Sequence, residues 1–553
     1  MTPSGRSVRQ LFSLAVGVIF WSFLGTPWNG AESVALTGVI NSQNETHMEG
    51  VLVSAKKVGG TVTVTVVTDS KGRYAFPSSR LQPGKYSLKV RAVGYDLEDP
   101  GEIELVADQR KEANLQLRGT RDLSAQLTSA EWLMSAPGTM EQKQAASCML
   151  MCHSLAVVMG SKYNASDLLT IMNRMRNYAE ASINEPGDLV KPVPLPYRVE
   201  SPPTDTKLAA YLSSVNLSAR ADGKWGYELK MLPRLKGDST RVVITEYDLP
   251  RRGFEPHDVA VDAEGMVWTP DFGGSYLGRL NPRTGEFKEW RVPVLKPGSP
   301  GYGLDIQFDN DGNPWFSMME QGGVARFDKK KEEFSTWKVP PEYDNERVHI
   351  GMVAIAPDGK VWFKDSRNQK VHRLDPATNR IDSYTLPNEF YGMRVDSHGN
   401  LFLASIARGV IGRIDAETGE ITVYPTPTPD SGSRRGDMDL QDQYWFGEDR
   451  VGKIGMFDTR STQFKEWNLP PTSWAWGSSY DVAVDKNGDA WSGGQLTDYV
   501  YRLNPHTGQV TPYLMPTLEA NMRRISVDKS AKSAAIWVGE NHHGKIARLE
   551  ALQ

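Results

Sequence analysis

Trp268–Pro293 reads WTPDFGGSYLGRLNPRTGEFKEWRVP. A short apolar strand meets an aromatic residue, a second strand carries Gly-Arg-Leu, a turn follows at Arg283-Thr284-Gly285, and a further strand ends at Pro293. The pattern occurs seven times between Glu255 and Gln553, at intervals of about 40–47 residues. Trp268, Trp315, Trp362, Phe402, Trp445, Trp491 and Trp537 mark the units. Four short strands at this period predict a seven-bladed β-propeller over residues 241–553. The last unit stops after KIARLEALQ and lacks its fourth strand. VVITEYDLP (Val242–Pro250), just before the first unit, is expected to supply it and close the ring, which removes an unpaired edge. A stack of sandwich-like repeats is the competing architecture. Seven units plus one displaced strand favour the ring.

The chain has 553 residues, 63 Lys and Arg against 67 Asp and Glu, and a net charge of −4, so nothing points to nucleic acid or an anionic membrane as partner. Two cysteines exclude a disulfide framework. Arg6 and Arg9 precede the apolar run Leu11–Leu24, which is too short for a comfortable span and reads as an export signal over residues 1–31, ending at Ala31. An uncleaved anchor is the alternative. Both place the rest of the chain outside the cytoplasm, periplasmic or secreted, and signal cleavage leaves no stable membrane span.

Residues 33–118 alternate apolar and polar positions in short runs (VLVSAKKV, VTVTVVTD, YSLKVRAVGY) and predict a half-buried antiparallel sandwich. Thr68, Asp69, Gly72, Tyr74, Phe76, then Leu81, Pro83, Gly84, Tyr86, Leu88, then Gly94 and Tyr95, follow the order of the carboxypeptidase regulatory-like domain, which this segment resembles. It has no acid–base pair, and a structural or sugar/peptide-binding role is expected. Residues 124–219 switch to helical spacing, with Asn164 and Ser166 as caps for the middle helix. Residues 220–240 read as linker. The chain as a whole is therefore expected to be multi-domain and mainly β, with one small all-α domain.

Both cysteines lie in CMLMCH: Cys148, Cys152 and His153. Two thiols for thioether bonds and a following His for iron are what covalent c-type haem needs, and the helical segment resembles a small cytochrome c domain. That family has two residues between its cysteines; this chain has three. Met175 is the first choice for the opposite axial ligand, with Met172 and Met159 as rivals, and each methionine also suits a core. The competing reading is a haem-free helical domain with two ordinary thiols.

Glu255-Pro256-His257 opens the first propeller unit, and the following strand ends at Asp271. If Asp262 faces Met266 across the turn, His257 faces Asp271, and Glu255 shares a face with His257. Two carboxylates can hold a hard divalent cation, and a neutral His beside it can take a proton next to a carbonyl. Solvated turn residues are the bland alternative. The repeat, carried by WTPDFGGSYLGRLNPRTGEFKEWRVP and WFKDSRNQKVHRLDPATNRIDSYTLP, resembles the virginiamycin B lyase (streptogramin lyase) propellers. Such lyases open a cyclic depsipeptide by magnesium-dependent elimination at its ester. The resemblance implies His257 as general base and Glu255 and Asp271 as Mg2+ ligands. It puts Arg523 where the lyases place a substrate-binding His, and Arg523 with Arg524 suggests an anionic ligand. Asp365, Glu448 and Glu540 repeat the acid of Asp271, so that acid is also readable as a repeat feature. His542 and His543 lie near the same rim and read as solvated turn residues.

Three functions are compatible with these signals: a metal-dependent lyase with an accessory haem domain, a haem-dependent oxidoreductase or electron-transfer protein with a redox partner, and a non-catalytic carbohydrate or peptide binder. The lyase accounts best for the Glu255, His257 and Asp271 set. The oxidoreductase accounts best for the fused haem segment.

Overall fold

The computed structural model describes residues 33–147, 153–178, 194–195, 197–251, 253–470, 478–528, 531 and 533–552. Nine strands form the first domain: β1 (Val34–Ser42), β2 (Leu52–Lys57), β3 (Val62–Val67), β4 (Arg73–Pro77), β5 (Gly84–Arg91), β6 (Tyr95–Leu97), β7 (Ile103–Leu105), β8 (Lys111–Glu112) and β9 (Leu115–Gly119). One sheet has the order β4-β1-β9-β6, with β8 beside β1. The other contains β3-β2-β5-β7. The alternating positions Leu36, Val53, Tyr74, Phe76, Leu88 and Leu117 fill the space between the sheets.

The helical segment contains α1 (Ser129–Ser135), α2 (Met140–Ser147), α3 (Leu155–Met159), α4 (Ala165–Arg176) and α5 (Pro203–Val215). Asn164 caps α4, its side-chain oxygen accepting from Ser166 N at 2.9 Å and Asp167 N at 3.0 Å. Leu133, Leu155, Met159, Met172, Tyr211 and Leu212 meet in its core. Cys148 and Cys152 lie outside the described residues. Residues 220–240 are a packed strap rather than a free linker. Trp225 donates to Met159 O at 3.0 Å, its ring lies 5.1 Å from that of Trp132, and Leu232 N donates to Glu131 at 2.8 Å.

From residue 260 onward the chain forms a propeller. Six four-stranded sheets follow one another, and each touches the next through its inner strands. The last innermost strand, Met522–Val527, also touches the first, Ala260–Val261, which closes the circle. A repeated polar device holds the inner hairpins. Asp262 accepts backbone N–H groups of its own turn and the Trp268 indole at 2.8 Å. Asp309 with Trp315 (3.1 Å), Asp439 with Trp445 (2.8 Å) and Asp485 with Trp491 (2.9 Å) repeat the bond. An arginine from the third strand lies over the indole in several units, as Arg279 does over Trp268 and Arg502 over Trp491. Trp268, Trp315, Trp445 and Trp491 are thus buried yet satisfied at their one polar atom, whereas the indole nitrogen of Trp362 is buried without a partner.

The strand β10 (Val242–Asp248) pairs antiparallel with Lys545–Ala551 along its full length, Val242 opposite Ala551 and Asp248 opposite Lys545. It is the missing fourth strand of the last unit. Its other edge pairs with β3 of the sandwich, Val243 opposite Val66 and Tyr247 opposite Val62. A single eight-stranded sheet therefore runs through both domains. Val243 enters the sandwich core, while Val242 and Ile244 enter that of the last blade. Proline at Ile244 would remove a ladder N–H from a strand paired on both edges. We expect Ile244→Pro to cost about 3 kcal/mol or more, to lower Tm, and to release the sandwich to limited proteolysis.

Candidate active site at the propeller mouth

The inner hairpin of the first blade has the register Ala260 opposite Trp268 and Val261 opposite Val267. Glu255, Pro256 and His257 precede the strand as irregular chain pinned at both ends. Phe272 N donates to Glu255 O at 3.0 Å, and His257 N donates back to the same oxygen at 2.9 Å. On the other side, a Cβ at Gly539 would stand 1.7 Å from Pro256 O, so the last blade can press against this segment only with glycine there. Glu255, His257 and Asp271 are all fully buried.

His257 and Asp271 have separate partners. His257 Nδ1 lies 2.6 Å from Asp258 Oδ1. Its Nε2 lies 3.1 Å from Arg523 Nη1 and 3.4 Å from the Tyr480 hydroxyl. Nδ1 therefore carries the proton toward the carboxylate, and Nε2 is the acceptor. Burial, and then the Arg523 charge, push the imidazole down to about 3, so it is neutral at ordinary pH. Asp271 Oδ1 accepts from Glu255 N at 3.1 Å and Gly273 N at 2.9 Å, and its Oδ2 is ion-paired with Arg251. Burial pushes this carboxyl up against the pull of Arg251.

A guanidinium already occupies the side of Asp271 that a cation would need. Among the described residues no group of three His, Cys, Asp or Glu could hold a metal ion. The residues present do not fit the divalent cation expected between Glu255 and Asp271, and no step below runs through one. Asp271 instead fills a repeated structural place. Glu448 faces Glu466 with Lys453 alongside, and Glu540 faces Glu246 with Lys545 alongside. Asp271 has Glu289 near it, with Arg251 bound to both.

The channel below His257 is filled with charge. Arg435 grips Asp258 through two hydrogen bonds of 2.9 and 2.6 Å and reaches Asp305 at 3.3 Å. Arg524 donates to Asp305 at 2.7 Å and to Ile306 O at 2.5 Å, so it belongs to the plug, whereas Arg523 belongs to the mouth. Asp481 in the same plug is pushed up to about 6 by burial. Reading the sequence for a trio passed over Asp258, Asp305, Arg435 and Asp481. A signal was available: with Arg524, each stands four residues before the turn aspartate of its unit. At the mouth, the Tyr391 and Tyr480 hydroxyls lie 2.7 Å apart, and Arg434 stacks 3.9 Å from the Tyr480 ring centre.

The helical segment lies over this mouth. Propeller Leu496 joins the helical core, and its carbonyl accepts from Ala130 N at 2.9 Å. Leu195 packs against the cluster that holds Phe272, Tyr302 and Met319. Arg367 stacks on Tyr197. His153 Nδ1 lies 3.0 Å from Ser154 O. Met159 and Met172 are core residues of the helical segment, and Met175 is half-buried on α4.

Residues 287–551 match the virginiamycin B lyase family. Residues 35–118 match the carboxypeptidase regulatory-like domain, in agreement with the sandwich. No curated protein matches the chain in sequence. Among solved structures, a streptogramin B lyase is 20% identical, with 57% of this chain and 99% of that one covered and a TM-score of 0.50. Virginiamycin B lyase from Staphylococcus aureus is 22% identical over 56% of this chain and 99% of its own, with a TM-score of 0.49. A catalytically inactive variant of that enzyme, solved with quinupristin, has the same identity and TM-score. These likenesses concern the fold. The virginiamycin B lyase match begins at Phe287, after Glu255, His257 and Asp271.

Two expectations follow from the electrostatics. Arg523→Gln removes a positive charge from Nε2, so the His257 imidazole should titrate above about 3, read by NMR; an unchanged value would separate the two groups. Glu448 is pushed up from 4.5 to about 7 by burial. Its folded form holds a proton that the unfolded chain releases, so its contribution to stability falls as pH rises between those values. Glu448→Gln should stabilise the protein at pH 8 by up to about 3 kcal/mol and change little at pH 4, read by denaturant melts.

Proposed function

We propose that this chain is an exported, seven-bladed, lyase-like propeller protein. Its mouth moves a proton on an anionic ligand beneath a helical segment that carries covalent c-type haem. The observation that supports the acid–base reading is the buried His257–Asp258 pair with Arg523 at Nε2. Asp258, itself clamped by Arg435, fixes the tautomer that leaves Nε2 as a base.

In the resting arrangement Arg523 keeps that base weak. A carboxylate on the ligand would draw the guanidinium from Nε2 and neutralise it, and the basicity of the imidazole would rise in the same event. His257 Nε2 then takes the proton next to a ligand carbonyl. The electron pair left behind forms a carbon–carbon double bond, and the C–O bond on the next carbon breaks to release a carboxylate. Tyr480, 3.4 Å from Nε2, is placed to donate to the developing enolate oxygen. Asp258 stabilises the imidazolium that results.

Haem-dependent redox work is the second reading, and a specific contact favours it. That contact is His153 Nδ1 at 3.0 Å from Ser154 O; in the CMLMCH motif Cys148 and Cys152 would hold the haem and His153 would ligate its iron. When bound, the haem would exchange one electron with a partner or ligand at the mouth. The export proposal rests on residues 1–31. Among the described residues no helix is long and apolar enough to cross a membrane.

The two chemistries separate by substitution in the native, haem-competent host. Under the elimination reading, His257→Ala lowers turnover of an ester-bearing, carboxylate-containing ligand by at least 100-fold, and Cys148→Ala removes colour while leaving turnover intact. The reverse pattern assigns the activity to the haem. Ligand binding that survives in both variants, with no turnover in the parent protein, leaves a binding protein.

A further inference from the structure

The sheet that joins the sandwich to the propeller carries a row of side chains across the junction. Ala55 is opposite Val64, Val64 opposite Thr245, Thr245 opposite Arg548, and Arg548 opposite Trp537. Residues directly opposite one another project to the same face. The row therefore runs from the sandwich, through β10, to the last blade. These five residues are the floor of a cleft of about 600 Å³. That volume suits a small molecule, whose sites span roughly 300–1,000 Å³.

The walls come from both domains and are pinned. On the sandwich side, Arg80 is ion-paired at 2.7 Å with Glu550 of the last propeller strand, and the Tyr86 hydroxyl donates to Gln82 O at 2.8 Å. On the propeller side, the Tyr247 hydroxyl donates to Pro282 O at 3.0 Å. A Cβ at Gly285 would stand 3.1 Å from Val62 Cγ2, so the blade turn closes against β3. The turns at Gly265 and at residues 282–285 lie at the ends of the first blade's strands away from His257 and Asp271. The cleft is thus on the other side of the ring from the mouth.

Polar groups on this surface are incompletely used. Thr245 is 5% exposed, and its hydroxyl is buried without a hydrogen-bond partner. Across the ladder, the terminal nitrogens of Arg548 have Asp528 at 3.3 Å and Glu550 at 3.1 Å, while its Nε is buried and unpartnered. Buried polar atoms are almost always bonded, so two orphans on neighbouring residues of a cleft floor call for a partner. The charge is also unbalanced. Lys57, Arg80, Arg283 and Arg548 line the cleft against one lining carboxylate, Asp528. Asp528 and Glu550 match Arg548 and Arg80. Among the described residues no carboxylate pairs with Lys57 or Arg283, and the Arg283 guanidinium donates to Glu264 O at 3.3 Å. These two are surplus positive charge in a protein whose net charge is −4.

We propose that this cleft binds a small organic anion bearing two or more oxyanionic groups, carboxylate or phosphate. Lys57 and Arg283 supply charge at the rim, and the Thr245 hydroxyl and Arg548 Nε supply donors at the floor. Neither domain forms the site alone, because the sandwich and the first blade each provide one wall.

The test is calorimetric titration of the full-length protein with citrate and with glucose 1,6-bisphosphate, and with glucose as the neutral control. At least one anion should bind with a Kd below about 1 mM, and glucose should not bind. The tighter of the two anions assigns carboxylate or phosphate. Raising salt from about 0.05 to about 0.5 M should weaken binding, since the rim charges are exposed. The double variant Lys57→Gln with Arg283→Gln, both on the surface, should weaken it about 10-fold or more. Thr245→Val keeps the shape of the side chain and should weaken binding while Tm stays that of the parent. Absence of binding by either anion below about 1 mM, or an affinity unchanged in the double variant, overturns the proposal. Binding that is lost in Arg523→Gln places the anion at the mouth instead and overturns it as well.

Discussion

The architecture depends on one strand used twice. β10 pairs with Lys545–Ala551 along one edge and with β3 along the other. The first pairing joins the ends of the propeller ring, and the second fuses the ring to the sandwich. Neither domain keeps a free edge at this junction, which is the usual hazard of an open sheet. The same strand carries Glu246, which faces Glu540 in the interior of the last blade. Separating the domains would therefore strip a ladder and uncover a buried carboxyl pair with Lys545 alongside.

That rigid junction has a consequence for the helical segment. It leaves the sandwich at β9 and returns to the propeller at β10, so both of its ends are fixed to one continuous body. The strap of residues 220–240 tightens this further through Trp225, Tyr227 and Leu232. A segment tied this way can be held over the mouth, where Leu195 and Leu496 anchor it. The mouth is consequently an interdomain space: its imidazole comes from the first blade, its guanidinium from the last, and its roof from the helical segment.

The chemistry of that space is set by desolvation. Burial and Arg523 keep His257 neutral, Asp258 keeps its tautomer, and Arg435 keeps Asp258 ionised in the buried channel. The plug of alternating Asp and Arg below it is costly unless every member is paired, and each cross-channel pair also ties one blade to another. Asp258 of the first blade, Asp305 of the second, Arg435 of the fifth and Arg524 of the last meet in one network. The channel thus does structural work in its depth.

Much of this was legible from residue order. The period of the tryptophans, the displaced VVITEYDLP strand, the alternation in the sandwich and the Asn164 cap are local or periodic signals. They act through backbone hydrogen bonding and side-chain facing, which the sequence alone determines. The hairpin register around Asp262 is of the same kind. What the tertiary structure decided was partnering across blades and domains. Asp271 went to Arg251, a residue twenty positions away that no spacing rule connects to it. His257 took Asp258 and Arg523, separated from it by one and by 266 positions. β10 acquired β3 as a second neighbour, and His542 is buried rather than solvated. Long-range ion pairs and interdomain burial depend on which surfaces meet when the ring closes, and a linear chain does not carry that geometry in any local pattern.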